Sequence, residues 1–110
     1  MKKLSLALAL AVSSSFAFGG GSVGWNTVNQ IAIQDGDVIL YADAWSNPNS
    51  CEASNGVILR KSDENFDNAY AFVLSAFMAG KEVVGYSDGC KNFDGKSYNY
   101  IRAYKYLQMR

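Results

Sequence analysis

The sequence predicts a mainly β domain with one α-helix, arranged as a small five-stranded barrel. Three observations lead to this fold class. A short N-terminal leader is set apart from the rest of the chain by its composition. Five short segments behind it are rich in β-branched and aromatic residues, which favour strands. A sixth segment places apolar residues at three- and four-residue spacing, which is the period of a helix.

The leader has the order of a secretory signal peptide. Lys2 and Lys3 are followed by an apolar run over residues 4–12 and then by small and polar residues. Cleavage after Ala17 and cleavage after Gly19 both satisfy the small-residue rule, so both stay open. The apolar run is about half of the roughly 18 residues that a membrane span needs, so we expect export without membrane insertion. Residues 20–110 then form a single domain.

Export predicts the state of the two cysteines. A secreted or periplasmic protein meets an oxidising environment, where an isolated pair of cysteines is usually a disulfide. We therefore expect a Cys51–Cys90 bond. Closing a loop of about 40 residues stabilises a small domain by roughly 4 kcal/mol in the chain-entropy model.

The charge balance argues against nucleic acid as a partner. The chain has 10 basic and 10 acidic residues, and the leader carries two of the basic ones, so the mature domain is slightly acidic. It has no basic stripe interleaved with aromatic residues that would track a phosphate backbone.

The first two strands are predicted as a hairpin. Residues 23–33 are rich in β-branched residues, and Gln34-Asp35-Gly36-Asp37 is a turn signal. Residues 38–44 then alternate between two faces. Asp35-Gly36-Asp37 lacks the further ligands of a calcium loop, so turn formation is the better interpretation.

A loop over residues 45–55 leads to a short third strand over residues 57–60. The helix follows, with Phe66, Ala69, Tyr70, Val73 and Phe77 on one face. Ser62 or Asp63 is expected to cap its start, and Gly80 its end.

The last two strands are expected over residues 82–86 and 98–107, joined by a loop over residues 87–96. Tyr98, Tyr100, Tyr104 and Tyr106 would share one face of the fifth strand. Such a stripe is either structural, because tyrosine favours strands, or a surface for subunits or sugar rings.

Three strands, one helix and two strands match the oligonucleotide/oligosaccharide-binding (OB) barrel, a Greek-key fold of order β-β-β-α-β-β. In that topology the third and fifth strands are parallel neighbours, and both cysteines lie at the same end of that pair. The disulfide is therefore a check on the topology. A helix packed on an open α+β sheet is the alternative.

A family resemblance rests on Cys51, residues 57–60, Ala79-Gly80-Lys81, Val83-Val84-Gly85-Tyr86 and Gly89-Cys90. With this order of elements, the chain resembles the B subunits of AB5 toxins, and the subtilase-cytotoxin type most of all. The resemblance implies an OB barrel, a pentamer with the helices around its centre, and binding of cell-surface glycans without catalysis. None of the family's sugar-contacting positions can be matched to this sequence.

Catalysis is not predicted. The chain has no histidine, which excludes histidine-dependent nucleophiles, histidine bases and histidine metal sites. A hydrolase built on two carboxylates would need convergent acids, whereas most of the acids here sit in turns or at the ends of elements. We expect no enzyme, no metal and no cofactor.

The helix suggests self-association, because no charged residue occurs from Asn68 to Gly80. A surface helix normally has a charged outer face, so this one is wedged within its own domain, covered by a loop or packed in a homo-oligomer. We favour the oligomer. Its candidate interface residues are Ala71, Phe72, Ser75, Met78 and Ala79.

Two tryptophans are the candidate ligand contacts. Trp45 opens a loop rich in asparagine, and Trp25 lies in the first strand. Their flat rings suit sugars or proteins. The sequence thus predicts an exported, non-catalytic protein that binds a cell-surface glycan or a protein. The alternative is a secreted or periplasmic structural or inhibitory protein that binds a partner protein.

Overall fold

A computed structural model describes residues 20–110. The predicted signal peptide, residues 1–19, lies outside the described residues. The fold is mainly β with one α-helix, and the strands form two open sheets. In chain order the elements are β1 (Gly21–Ser22), β2 (Asn26–Thr27), β3 (Gln30–Gln34), β4 (Asp37–Tyr41), β5 (Gly56–Leu59), α1 (Phe66–Ala79), β6 (Glu82–Val84), β7 (Tyr86–Phe93), β8 (Lys96–Ile101) and β9 (Gln108–Met109).

The larger sheet has the strand order β1-β7-β8-β5-β4-β3, and the smaller one has the order β2-β6-β9. All neighbours are antiparallel except β5 and β8, which pair in parallel with Val57 opposite Asn99. This pair confirms that the third and fifth predicted strands are parallel neighbours. The helix follows β5 of the larger sheet in the chain and precedes β6 of the smaller sheet.

The two sheets remain open among residues 20–110, which corrects the prediction of a closed barrel. The predicted first strand, residues 23–33, is broken into β2 and most of β3, which pair with β6 and β4, and β1, which pairs with β7, lies just before it. Gly24 lies between β1 and β2 with a φ of 81°, where the chain leaves extended geometry. The predicted fourth strand is likewise interrupted at Gly85. Hydrogen bonding is therefore divided between two sheets instead of closing one.

The last third of the chain also differs from the prediction. Most of the expected loop over residues 87–96 is strand β7, which pairs with β8 around the Asp94-Gly95 turn. The expected fifth strand ends at Ile101. Beyond it the backbone bends, Tyr106 adopts a φ of 63°, and β9 joins the smaller sheet. Tyr104 and Tyr106 therefore do not continue the stripe of Tyr98 and Tyr100.

The helix has the predicted extent but a different N-cap. Asn65 is the N-cap, with a φ of 61° and no side-chain hydrogen bond to the helix. Neither Ser62 nor Asp63 takes that role, and the Asp63 carboxylate instead pairs with Arg60 at 2.6 Å. Gly80 is confirmed as the C-cap: its φ is 69°, and its N–H group donates to carbonyl oxygens of the last turn.

Core side chains lie on both faces of the central strands. Val38, Leu40, Val57 and Leu59 face the helix, where Val73 and its neighbours cover them. On the opposite face, Ile39 and Ile58 pack with Phe93 and Tyr98 in a second cluster. The tip of the β7–β8 hairpin therefore folds over the outer face of β4 and β5. Each fully buried aliphatic side chain contributes about 1.5–3 kcal/mol.

Candidate functional site

The two cysteines form the predicted disulfide. Cys51 and Cys90 are joined, with their Cα atoms 5.7 Å apart. Cys90 lies on β7 opposite Asn99 of β8, and Asn99 in turn faces the start of β5. The bond thus ties the loop before β5 to the sheet at one end of the parallel pair. It is consistent with an extracytoplasmic location.

A closed polar network surrounds this bond. Ser87 and Asn99 are fully buried, and the Asn49 amide donates to the oxygens of both, at 2.9 and 3.0 Å. The Asn99 amide donates to Asn47 Oδ1, which also accepts the Cys51 N–H group. The polar groups of these side chains hydrogen-bond to one another. The network therefore holds the loop in place and has few free donors or acceptors for a ligand.

Both hairpins end in the same turn. Asp35 and Gly36 have φ values of 53° and 87°, and Asp94 and Gly95 have φ values of 52° and 87°. Positive φ at both central positions is typical of a type I′ turn, for which Asp-Gly is a favoured pair. The Asp35-Gly36 turn was predicted as a hairpin turn and is confirmed.

A polar cleft of about 370 Å³ lies beside the first of these turns. We call it the hairpin-tip cleft. It brings the β3–β4 turn together with the segment after β5 and the end of β7. Its volume is within the range of small-molecule sites. The lining residues are Gln34, Asp35, Asp37, Lys61, Ser62, Lys91, Asn92 and Phe93.

Asp37 anchors the wall of the hairpin-tip cleft. Its Oδ2 atom lies 3.5 Å from Lys91 Nζ, and its Oδ1 atom accepts the Lys61 N–H group at 3.0 Å. The Lys61 side chain crosses Gly36 so closely that a Cβ atom there would lie 2.3 Å from Lys61 Cδ. Glycine at this position therefore allows both the turn and the path of the lysine.

Tyr98 and Tyr100 of β8, together with Tyr41 of β4, pack in or against the second cluster of the core. Tyr98 is buried in the second cluster and forms an edge contact with Phe93, with ring centroids 6.4 Å apart. Arg60 stacks on Tyr100 at 3.7 Å. Burial, followed by Tyr98 and Asp94, raises the pKa of Tyr41 above its usual 10.0.

The tryptophans differ in their surroundings. Trp45 is only 4% exposed, and its indole N–H donates to the Leu40 carbonyl at 3.1 Å. Its ring fills the core and has no open face, so the structure does not support Trp45 as a ligand contact. Trp25 is partly exposed and stacks against Arg110 at 4.1 Å. Its role as a ligand contact stays a prediction.

A surface cluster forms where Arg102 contacts Asp88 of β7. Arg102 holds Asp88 through two hydrogen bonds, of 2.7 and 2.8 Å, and covers the Tyr86 ring at 4.5 Å. The hydrogen bond from Arg102 lowers the pKa of Asp88 below 3.8. This arrangement pairs its own charges and leaves no isolated acid or base.

The outward side of α1 is uncharged and exposed. We call Ala71, Leu74, Ser75, Met78 and Ala79 the helix outer face. Met78 is 77% exposed and Leu74 37%. No segment within residues 20–110 covers them, so the helix is neither wedged in its own domain nor hidden by a loop. Phe72 is different, because it is partly buried against the core.

Two further features bear on function. Among residues 20–110, no three acidic or cysteine side chains converge as a metal site would require. Within the same residues, no helix is long and apolar enough to cross a bilayer.

The sequence did not indicate the hairpin-tip cleft as a site. Asp35 and Asp37 were interpreted as turn residues, and Asn92 was assigned to a loop. A short stretch of sequence contains no signal that would place Lys91 beside Asp37.

No protein-family model, curated protein or solved structure matches this chain.

Proposed function

We propose that this protein is an exported, non-catalytic binding protein that assembles with copies of itself and binds a glycan. The ring of five subunits and the glycan come from the resemblance to toxin B subunits, and the folded domain adds physical support for assembly. The observation that carries the proposal is the exposed, uncharged helix outer face.

An OB-like arrangement is part of this proposal. The strand order β3-β4-β5-β8-β7 follows the connectivity of that fold, with the single helix after the third strand. The segment over residues 20–34 contacts both ends of this order, since β1 pairs with β7 and β3 pairs with β4. A bent first strand of this kind supports a barrel-like enclosure even though the hydrogen-bonded sheets are open.

The helix outer face favours self-association on physical grounds. Met78 and Leu74 would lose unfavourable contact with water on burial, at about 25 cal/mol per Å². Ala71, Ser75 and Ala79 are small, so another helix can approach closely. No charge would have to be desolvated over this surface.

The test is the mass of the purified protein by light scattering coupled to size exclusion. We expect an oligomer for the wild type and a monomer for Met78→Lys, because a buried lysine without a partner opposes association. Asn55→Lys is the control, since it adds the same charge at an exposed loop position. A wild-type protein that elutes as a monomer at high concentration would remove the self-association from the proposal.

A second candidate is a secreted or periplasmic structural or inhibitory protein that binds a partner protein. It is favoured by an apolar groove of about 250 Å³ between α1 and residues 103–107. Tyr104 and Tyr106 at this groove are 51% and 45% exposed, and tyrosine is enriched in protein interfaces. A monomeric wild type that retains Tyr104-dependent binding to another protein would favour this candidate.

A further inference from the structure

We infer that the hairpin-tip cleft is the ligand site and that its ligand is a neutral sugar. This inference rests on the proposed function, because it names the site and the class of glycan. It adds that recognition occurs away from the helix outer face, on a different part of the domain.

The first argument is the unused hydrogen-bonding capacity of the cleft. The side chains of Gln34, Asp35 and Asn92 are exposed to solvent, make no hydrogen bond or ion pair within residues 20–110, and line a concave surface. The Asn47–Asn99 network beside the disulfide is the contrast, since its amides are mutually satisfied. In ligand sites, a small number of polar groups with free donors and acceptors fixes the orientation of the ligand.

The second argument is the balance of charge. Two carboxylates, Asp35 and Asp37, face two ammonium groups, Lys61 and Lys91. Because the two signs balance, neither an anion such as phosphate nor a cation gains a net Coulomb attraction to the cleft. A neutral polyol uses both kinds of charged group, because its hydroxyl groups donate to carboxylates and accept from ammonium and amide groups.

The third argument is that the cleft is preorganised. The type I′ turn fixes the backbone of Asp35, and Asp37 holds the backbone of Lys61 by a hydrogen bond. Phe93 is anchored in the second cluster and supplies the apolar part of the lining. Rigid walls reduce the ordering cost that a weakly binding sugar would otherwise meet.

The experiment compares the two Asp-Gly turns. An array presents matched neutral and sialylated glycans to the wild type, Asp35→Gly and Asp94→Gly. Both substitutions suit a φ near 53°, so each removes a carboxylate without strain in the turn. We expect binding to neutral glycans, weakened about tenfold or more by Asp35→Gly, as for the loss of a charged hydrogen bond, and unchanged by Asp94→Gly.

Asn92→Ala is a second probe, on a different element, and should weaken the same glycans. Circular dichroism and the thermal midpoint of each variant separate lost binding from lost folding. Equal binding by wild type, Asp35→Gly and Asn92→Ala would overturn the inference, as would retention of sialylated glycans only or of none. Light scattering on the same samples distinguishes this failure from failure of the proposed self-association, which is measured independently.

Discussion

Two hairpins of this domain are closed by the same turn and have different surroundings. The β3–β4 and β7–β8 hairpins both use Asp-Gly, with φ values that agree within 1° at each position. At the first turn, Lys61 crosses Gly36 and the hairpin-tip cleft lies alongside. At the second turn, nothing lies within 4 Å of the place where a Gly95 Cβ would be.

The difference shows that the geometry of a turn comes from its own residues, whereas its surroundings come from distant parts of the fold. Either turn would form from its own two residues, because both tolerate positive φ. What distinguishes them is the way the β7–β8 hairpin folds over β4 and β5, with Phe93 on Ile39 and Ile58. That fold places Lys91 and Asn92 beside the first turn and leaves the second turn in the open.

The largest expected effect comes from removing the disulfide, which ties the β7–β8 hairpin to the loop before β5. Replacing Cys51 and Cys90 with alanine should lower the free energy of unfolding by about 4 kcal/mol, because a closed loop of this length restricts the unfolded chain. Denaturant titration gives the loss. Hydrogen exchange should rise more in β7–β8 than in β3–β4. A loss below about 1 kcal/mol would mean that packing of Phe93 alone holds the hairpin.

The glycines of the two turns provide the next comparison. Gly36→Ala and Gly95→Ala should each lower the free energy of unfolding by about 1–2 kcal/mol, the cost of positive φ for an L-residue. Gly36→Ala should cost more, because Lys61 must move away. Thermal unfolding of both variants in a Lys61→Ala background is the control, where the two losses should become equal. A difference that persists there would place its cause elsewhere.

The ion pair between the hairpins should contribute less. Lys91→Ala should change the free energy of unfolding by about 0.5 kcal/mol or less, because the lysine side chain is 41% exposed. Asp37→Ala should cost about 1 kcal/mol, since the Lys61 N–H group loses its acceptor. Urea titrations of the single and double variants measure both values. Equal costs for the two single variants would show that the backbone hydrogen bond contributes nothing.

The smallest effect is electrostatic. Asp94→Asn should lower the pKa of Tyr41 slightly but leave it above 10.0, because burial is the main cause of the shift. NMR titration of ring-labelled tyrosine measures it. A raised pKa means that the contribution of Tyr41 to stability is present below pH 10 and is lost as the pH rises through the folded-state value. A Tyr41 pKa of 10 or below in this variant would contradict the assignment.

The sequence predicted the features that depend on short-range rules. The helix period and Gly80 gave α1 and its end, and Asp35-Gly36 gave the first hairpin. The Cys51–Cys90 bond was predicted because an exported chain with two cysteines usually joins them in a disulfide. The parallel neighbours followed from matching the order of elements to the OB topology.

Features that depend on distant contacts were missed. The polar sequence of β7 resembles a loop, and it becomes a strand because β8 and β1 pair with it. Trp45 follows the residues of β4 closely enough for its indole to reach the Leu40 carbonyl, so it turns inward despite its polar neighbours. The hairpin-tip cleft forms because the β7–β8 hairpin folds over β4 and β5, and no local sequence pattern predicts that packing.

The central claim is that the two Asp-Gly turns have the same backbone geometry, whereas only the first borders the ligand site. The amide resonances of Gly36 and Gly95 test this claim most directly. In a ¹H–¹⁵N titration of the purified protein with a neutral glycan selected on the array, the Gly36 resonance should shift with saturation and the Gly95 resonance much less. Equal shifts at both glycines, or saturable shifts confined to α1, would contradict it.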